Sequence, residues 1–177
     1  MAGDGGDAPM VFDEGRWSAL VKQHAPFLRR AIGRLAGFGE QVDDVVQEAF
    51  VSAFRRARDL PDDELLLRAW LFRAAKHHLQ HHQRTHARQT RKVAALSATA
   101  LSSSSPVALD EQQRAAKLVR EATLRLPEAQ REVFVLVELE GLSVVAAATV
   151  LDVNENTLHS RLKAARKAFA TAIKDAS

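Results

Sequence analysis

Apolar residues recur at three- and four-residue steps along most of the chain, and the fold this pattern predicts is all-α, in two small helical domains. A first helix is expected over about residues 11–37. Its apolar side carries Trp17, Leu20, Val21, His24, Phe27, Leu28, Ile32 and Leu35, Pro26 marks an interruption or boundary, and Gly33, Gly37 and Gly39 mark the exit. A second, over 41–54, has the stripe Val42, Val45, Val46, Ala49, Phe50, Ala53 and Phe54, leaving Asp44, Gln47 and Glu48 outward. Residues 55–66 are charged, contain Pro61 and read as a loop; a third helix follows to about residue 87. The pattern then loosens into Thr, Ala and Ser, with Ser102 to Ser105 consecutive before Pro106, as in a flexible linker. Beyond it, helices are expected over 115–126 and 127–140, the latter opened by Pro127 and stopped by Gly141. A short apolar segment, 144–151, the turn-prone Asp152-Val153-Asn154 and a long helix with Leu158, Leu162, Ala165, Phe169 and Ile173 inside complete the chain.

Composition narrows the class. Hydrophobic residues are 46% and aromatics 6%, with 8 Gly and 5 Pro, which suits a helical globular protein. With no cysteine there is no disulfide, thiol nucleophile or Cys-type zinc site, in keeping with a reducing cytoplasm. No apolar run approaches the roughly eighteen residues of a membrane span, and residues 1–10 lack the features of a signal peptide and read as a loose tail. No nucleophile–base constellation or phosphate-cradling glycine loop is visible, so an enzyme is not expected.

The net charge of +3 is less informative than its distribution. Residues 76–92 hold five Lys/Arg, five His and no acid; residues 155–174 hold five Lys/Arg against one Glu. Two such segments suggest two contacts with a polyanion. Residues 138–174 read as helix, tight turn and a second helix with His159, Arg161, Lys163, Arg166 and Lys167 outside, the pattern of a helix-turn-helix or, more blandly, of any helical hairpin with a solvated basic face. Thr157 is placed to cap the second helix or contact a phosphate. On the third helix, Trp70, His77, His81, Arg84 and Arg88 share one side, an arrangement suited to unpaired bases and their backbone. The competing chemistry is metal binding by i, i+4 histidine pairs such as His78/His82, for which no nearby carboxylate or cysteine completes the set.

Three blocks in order, VDDVVQEAF at 42–50, RAWLFR at 68–73, and LPEAQREVF at 126–134 with EGLS at 140–143 and TLHSRLKAAR at 157–166, resemble the extracytoplasmic-function (ECF) sigma factors of bacterial RNA polymerase. The resemblance implies domains at 11–90 (region 2) and 113–177 (region 4), with 91–112 a linker threading the polymerase. It implies that Asp44, Gln47 and Glu48 dock on the clamp helices of the largest polymerase subunit. The loop from Arg56 to Leu66 and Trp70, Lys76, His77, His81, Arg84 and Arg88 would hold the melted −10 strand. Asn156, Thr157, His159, Ser160, Arg161 and Lys163 would read the −35 element, region 4 resting on the flap of the second-largest subunit. The implied partners are core polymerase, promoter DNA and an anti-sigma factor, in a bacterial cytoplasm, with no cofactor, no metal and no membrane insertion. Departures from the family pattern are His77 and His81 for Asn and Asp, Gln80 and Gln83 for apolar residues, Val145, Ala146 and Ala147 for an acidic pair and Ile, and Asp152 for the turn glycine. Histidine titration would let DNA affinity rise as pH falls. The alternatives are a stand-alone helix-turn-helix regulator, which has no need of the 41–54 helix, and a protein built around a histidine–metal cluster.

Overall fold

The computed structural model describes residues 14–37, 39, 41–94 and 111–176, with side chains 88–94 set aside; the tail reading, the middle of the expected linker (95–110) and the Arg88 side chain lie outside the described residues, while the linker's expected ends, 91–94 and 111–112, are helical instead. The described part is helical throughout: α1 Glu14–Ala36, α2 Gln41–Arg55, α3 Glu64–Ala94, α4 Glu111–Leu124, α5 Glu128–Phe134, α6 Val144–Leu151 and α7 Glu155–Lys174.

The apolar stripes find each other as their spacing requires. Leu28 and Ile32 of α1, Val45 and Ala49 of α2, and Leu71, Phe72 and Ala75 of α3 are almost wholly withdrawn from water. Each such Val, Leu, Ile or Phe side chain contributes about 1.5–3 kcal/mol, and an alanine methyl less. Phe27 and Phe72 meet with ring centroids 6.3 Å apart, locking α1 to α3. In the second unit Leu158, Leu162 and Ala165 of α7 are buried, and Phe134 stacks on Phe169 at 4.5 Å. The two units are closed against each other: one apolar cluster runs from α1–α3 into Val133, Leu136, Ala147, Val150 and Leu158.

Three expectations need correction. Pro26 neither interrupts nor bounds α1, which runs through it. Both Pro26 and Lys22, whose carbonyl loses its N–H partner, face solvent, so that carbonyl is not left orphaned in the core. The segment 55–66 is not simply a loop: it contains a 3₁₀ turn, Ala57–Asp59, and buried Leu60, while the Asp63 carboxylate accepts from the Leu66 N–H at 2.8 Å and starts α3. Nor is 127–140 a regular helix. After Phe134 it widens into a π turn, Val135–Leu139, in which the Glu140 N–H reaches back to the Val135 carbonyl at 2.9 Å. Gly141 ends it at φ +71°, the left-handed conformation that favours glycine.

His24 sits inside the first unit, 2% exposed, and its Nδ1 has no hydrogen-bond partner. Burial, and secondarily the positive charge of Arg68, hold its pKa below the ordinary value of 6.5, with Glu64 opposing. The folded form therefore resists a proton that the unfolded chain accepts. The stability this secures is complete above the unfolded value and is lost as pH falls through the folded one. Urea unfolding of the full chain should show a lower midpoint at pH 5.5 than at 7.5, and His24→Leu should flatten that slope; an unchanged slope would remove His24 as its source.

Candidate nucleic-acid interface

The C-terminal hairpin is built as a helix-turn-helix. Ser143 caps α6, its hydroxyl accepting from the Ala146 N–H at 3.1 Å. α6 ends on Asp152, which adopts the left-handed conformation (φ 55°, ψ 49°) expected at that turn. The cap of α7 is Asn154, whose side-chain oxygen accepts from the Thr157 N–H at 2.8 Å. The capping role considered for Thr157 thus falls to Asn154, and the Thr157 hydroxyl is not needed for it.

Along α7 the expected reading residues are divided between an exposed side and its flanks. Asn156, His159, Ser160 and Lys163 are exposed, and Thr157 and Arg161 are half-buried against the hairpin. The Ser160 hydroxyl donates to the Thr157 carbonyl at 2.9 Å, so its remaining capacity is to accept, which suits an amino group on a base edge more than a phosphate oxygen. Arg166, on the same basic helix, is paired with Glu138 through Nε and Nη2 at 2.9 and 2.6 Å.

α3 splits its expected single face into three. His77, His81 and Arg84 are exposed, while Trp70 is half-buried at the edge of the core. Lys76 points instead to the second unit, where its ammonium lies 2.7 Å from the Glu132 carboxylate. Gln80 donates to Glu128 at 2.9 Å and Arg73 to the Thr149 carbonyl at 3.4 Å, on the same contact. The remaining side of α3 meets α2. Asp44 and Gln47 are exposed there, but Glu48 is not simply outward: its Oε2 lies 3.0 Å from His78 Nδ1 and 3.1 Å from His82 Nε2. The i, i+4 pair His78/His82, open to a cation in the sequence, is engaged by that carboxylate.

The contact between the units carries charges that the sequence reading missed. The Glu140 side chain is 1% exposed and is held by Arg30 at 3.0 Å and by Arg34, which also donates to the Leu139 carbonyl at 2.9 Å. Glu132 is 8% exposed opposite Lys76. Arg131 donates to the carbonyls of Leu124 and Leu126 at 2.7 and 2.9 Å and reaches the Leu35 carbonyl of α1 at 3.4 Å. The bases come from α1 and α3; the buried acids come from α5 and the residue that follows the π turn. Helical spacing alone places Glu132 and Glu140 on surfaces, and their partners, 56 to 110 positions away, leave no local signal.

The sequence matches the family Sigma-70 region 2 over residues 20–89 and Sigma-70, region 4 over residues 116–169. It is 30% identical over 154 residues to the ECF RNA polymerase sigma factor SigL of Mycobacterium tuberculosis, covering 85% of each chain. It is 34% identical over 156 residues to the RNA polymerase sigma factor CnrH of Cupriavidus metallidurans, covering 83% of this chain and 81% of that one. Among solved structures, CnrH in complex with the cytosolic domain of CnrY superposes with a TM-score of 0.66 at 27% identity, covering 94% of this chain and 92% of that chain. The sigma factor RpoE of Bartonella quintana, in complex with the anti-sigma factor NepR, shares the fold with a TM-score of 0.67 at 21% identity, covering 89% and 96%.

Glu140→Ala leaves Arg30 and Arg34 facing a void at the contact between the units. Because Arg30 remains more than half exposed, the cost should lie toward the lower end of the roughly 3–5 kcal/mol for breaking a buried pair. Glu138→Ala, which breaks the more exposed pair with Arg166, should cost about 0–1 kcal/mol. Urea unfolding distinguishes the two, and small-angle scattering should show a larger radius of gyration for Glu140→Ala alone; equal costs would deny the contact its role.

Proposed function

Because the chain belongs to the ECF sigma factors of the sigma-70 family, we propose that it recognises −10 and −35 promoter elements through its two helical units while held on core RNA polymerase. It is a sigma factor that directs transcription initiation. Such proteins are non-catalytic DNA-binding initiation factors; they confer choice of start site and leave nucleotide chemistry to the polymerase. Its place of action is the bacterial cytoplasm, where polymerase works, and no helix among the described residues is long and apolar enough to cross a membrane.

The observation that carries this reading is the coexistence on one chain of a capped helix-turn-helix and the α2 helix with Asp44, Gln47 and Glu48 along one side. A stand-alone regulator has use for the first and none for the second. In this reading the α2 acids meet the clamp helices of the largest subunit, where complementary charge speeds encounter and fixes orientation. Region 4 rests on the flap of the second-largest subunit. Trp70, Lys76, His77, His81, Arg84 and Arg88 hold the unpaired −10 strand by stacking and phosphate contact. Asn156, Thr157, His159, Ser160, Arg161 and Lys163 meet the −35 duplex in the major groove. Residues 91–112 connect the two regions, and an anti-sigma factor holds the chain idle, as the solved complexes of its relatives suggest.

The closed geometry adds a condition. Lys76 serves the −10 strand only after releasing Glu132, and a phosphate is a stronger competitor for it once the units part. The described arrangement therefore belongs to the chain away from promoter DNA.

Run-off transcription from a promoter library with bacterial core polymerase should yield specific transcripts that depend on the added chain; silence together with no association would sink the reading. In the same assay Arg161→Ala should reduce discrimination at one −35 position by about 1–3 kcal/mol. Equal loss across scrambled −35 sequences would mark Arg161 as a phosphate contact instead.

A further inference from the structure

We propose that His78 and His82 are positioning residues for the Glu48 carboxylate, and that through it they make docking on polymerase weaken as the medium becomes more acidic. The proposal rests on the reading above that Glu48 is a polymerase contact.

Two helices supply the arrangement, each with two residues one turn apart. α2 offers Glu48 and Ser52; α3 offers His78 and His82. His82 Nε2 is hydrogen-bonded to Glu48 Oε2 at 3.1 Å, His78 Nδ1 lies 3.0 Å from the same oxygen as an ion-pair contact, and the Ser52 hydroxyl is hydrogen-bonded to the other nitrogen of His78 at 3.0 Å. A carboxylate only accepts, so the facing nitrogen of His82 carries the proton, which makes its neutral form the Nε2–H tautomer. The Ser52 hydroxyl and His78 Nε2 share a hydrogen bond, as donor and acceptor or the reverse according to the ring's proton. Ser52 thereby fixes the His78 ring, and the two rings fix the carboxylate. Without them Glu48, with 45% of its side chain exposed, is a mobile surface acid.

These side chains line an open groove of about 660 Å³ between α2 and α3, shared with Asp44, Gln47, Val51, Arg55, His77 and His81. The groove is thus the same surface that carries the docking acids. The charged and titratable groups facing it are Asp44, Glu48 and Arg55 from α2, and His77, His78, His81 and His82 from α3. With four neutral imidazoles its formal charge is one negative; with all four protonated it is three positive. Imidazole is the side chain whose charge ordinarily changes between about pH 5 and 8. With both rings protonated, Glu48, His78 and His82 together carry one net positive charge, so a basic partner meets repulsion where neutral rings leave it an acid. This runs opposite to the rise in DNA affinity that histidine titration implies for the strand-holding face, so acidification would favour DNA and disfavour polymerase on neighbouring sides of α3.

The test measures the Kd of the full chain for core polymerase at pH 8 and pH 6, for wild type, Glu48→Gln, His78→Gln/His82→Gln and His77→Gln/His81→Gln. The wild-type ratio, pH 6 over pH 8, should exceed that of Glu48→Gln by about fivefold. The ratio for His78→Gln/His82→Gln should fall to that of Glu48→Gln. His77→Gln/His81→Gln should keep the larger part of it. A wild-type ratio equal to that of Glu48→Gln, or one that disappears with His77 and His81 but not with His78 and His82, overturns the proposal. Failure of the underlying reading looks different: Glu48→Gln then binds polymerase as tightly as wild type at pH 8. Imidazole C–H resonances of the free chain read the contact without polymerase. Those of His78 and His82 should move on Glu48→Gln, and unmoved signals overturn the arrangement.

Discussion

Two carboxylates withdrawn from water, Glu132 and Glu140, set the condition that the rest of the structure meets. A buried carboxylate is tolerated only when cations and hydrogen bonds replace its hydration. Here the cations belong to the other helical unit: Arg30 and Arg34 from α1, Lys76 from α3. The apolar contact between the units brings area, but area has no direction. The ion pairs choose one orientation among those that would bury similar surface. The choice has a functional price, because Lys76, one of the groups proposed to hold an unpaired strand, is also one of the groups that keeps the units together.

Much of the fold was legible because burial and helical period are the same information. Leu28 and Ile32, Val45 and Ala49, and Leu71 and Ala75 recur at helical steps, and they are inside. The turn of the helix-turn-helix was legible for a different reason: Asp152 and Gly141 occupy backbone conformations that few residues accept, so residue type reports geometry. What escaped was of two kinds. Pro26 lies within a helix because its solvent-facing position softens the usual objection to proline, and which side faces solvent is settled by partners, not by proline itself. The π turn at Val135–Leu139 has no residue signature at all; five apolar and acidic residues there read equally well as ordinary helix.

The surfaces on which the proposed site residues lie were only partly legible. His159 and Lys163, four apart, share the exposed side of α7, whereas Arg161, two residues from each, is half-buried on another. On α3 the spacing was right but its consequence was incomplete. A helix packed on two neighbours has three sides, and Lys76, His77 and His78, consecutive in the chain, serve a buried acid, solvent and α2 respectively. Single-helix reasoning groups residues by angle. Only the positions of α2 and of the second unit decide what each angle meets. The same reason explains why Glu48 was expected outward and is half-held: the histidines that hold it lie more than twenty-five positions away.

The π turn gives this closure an unusual dependence. It inserts one residue beyond the ordinary helical count just before Glu140, and one residue of helix is about 100° of rotation. Were Val135–Leu139 to tighten into an ordinary α-helix at unchanged length, the extra residue would no longer be absorbed. Glu140 would then swing about a quarter-turn off the axis along which Arg30 and Arg34 approach. In this chain the fit between the two units is thus written in a backbone hydrogen-bonding pattern as much as in a chemistry.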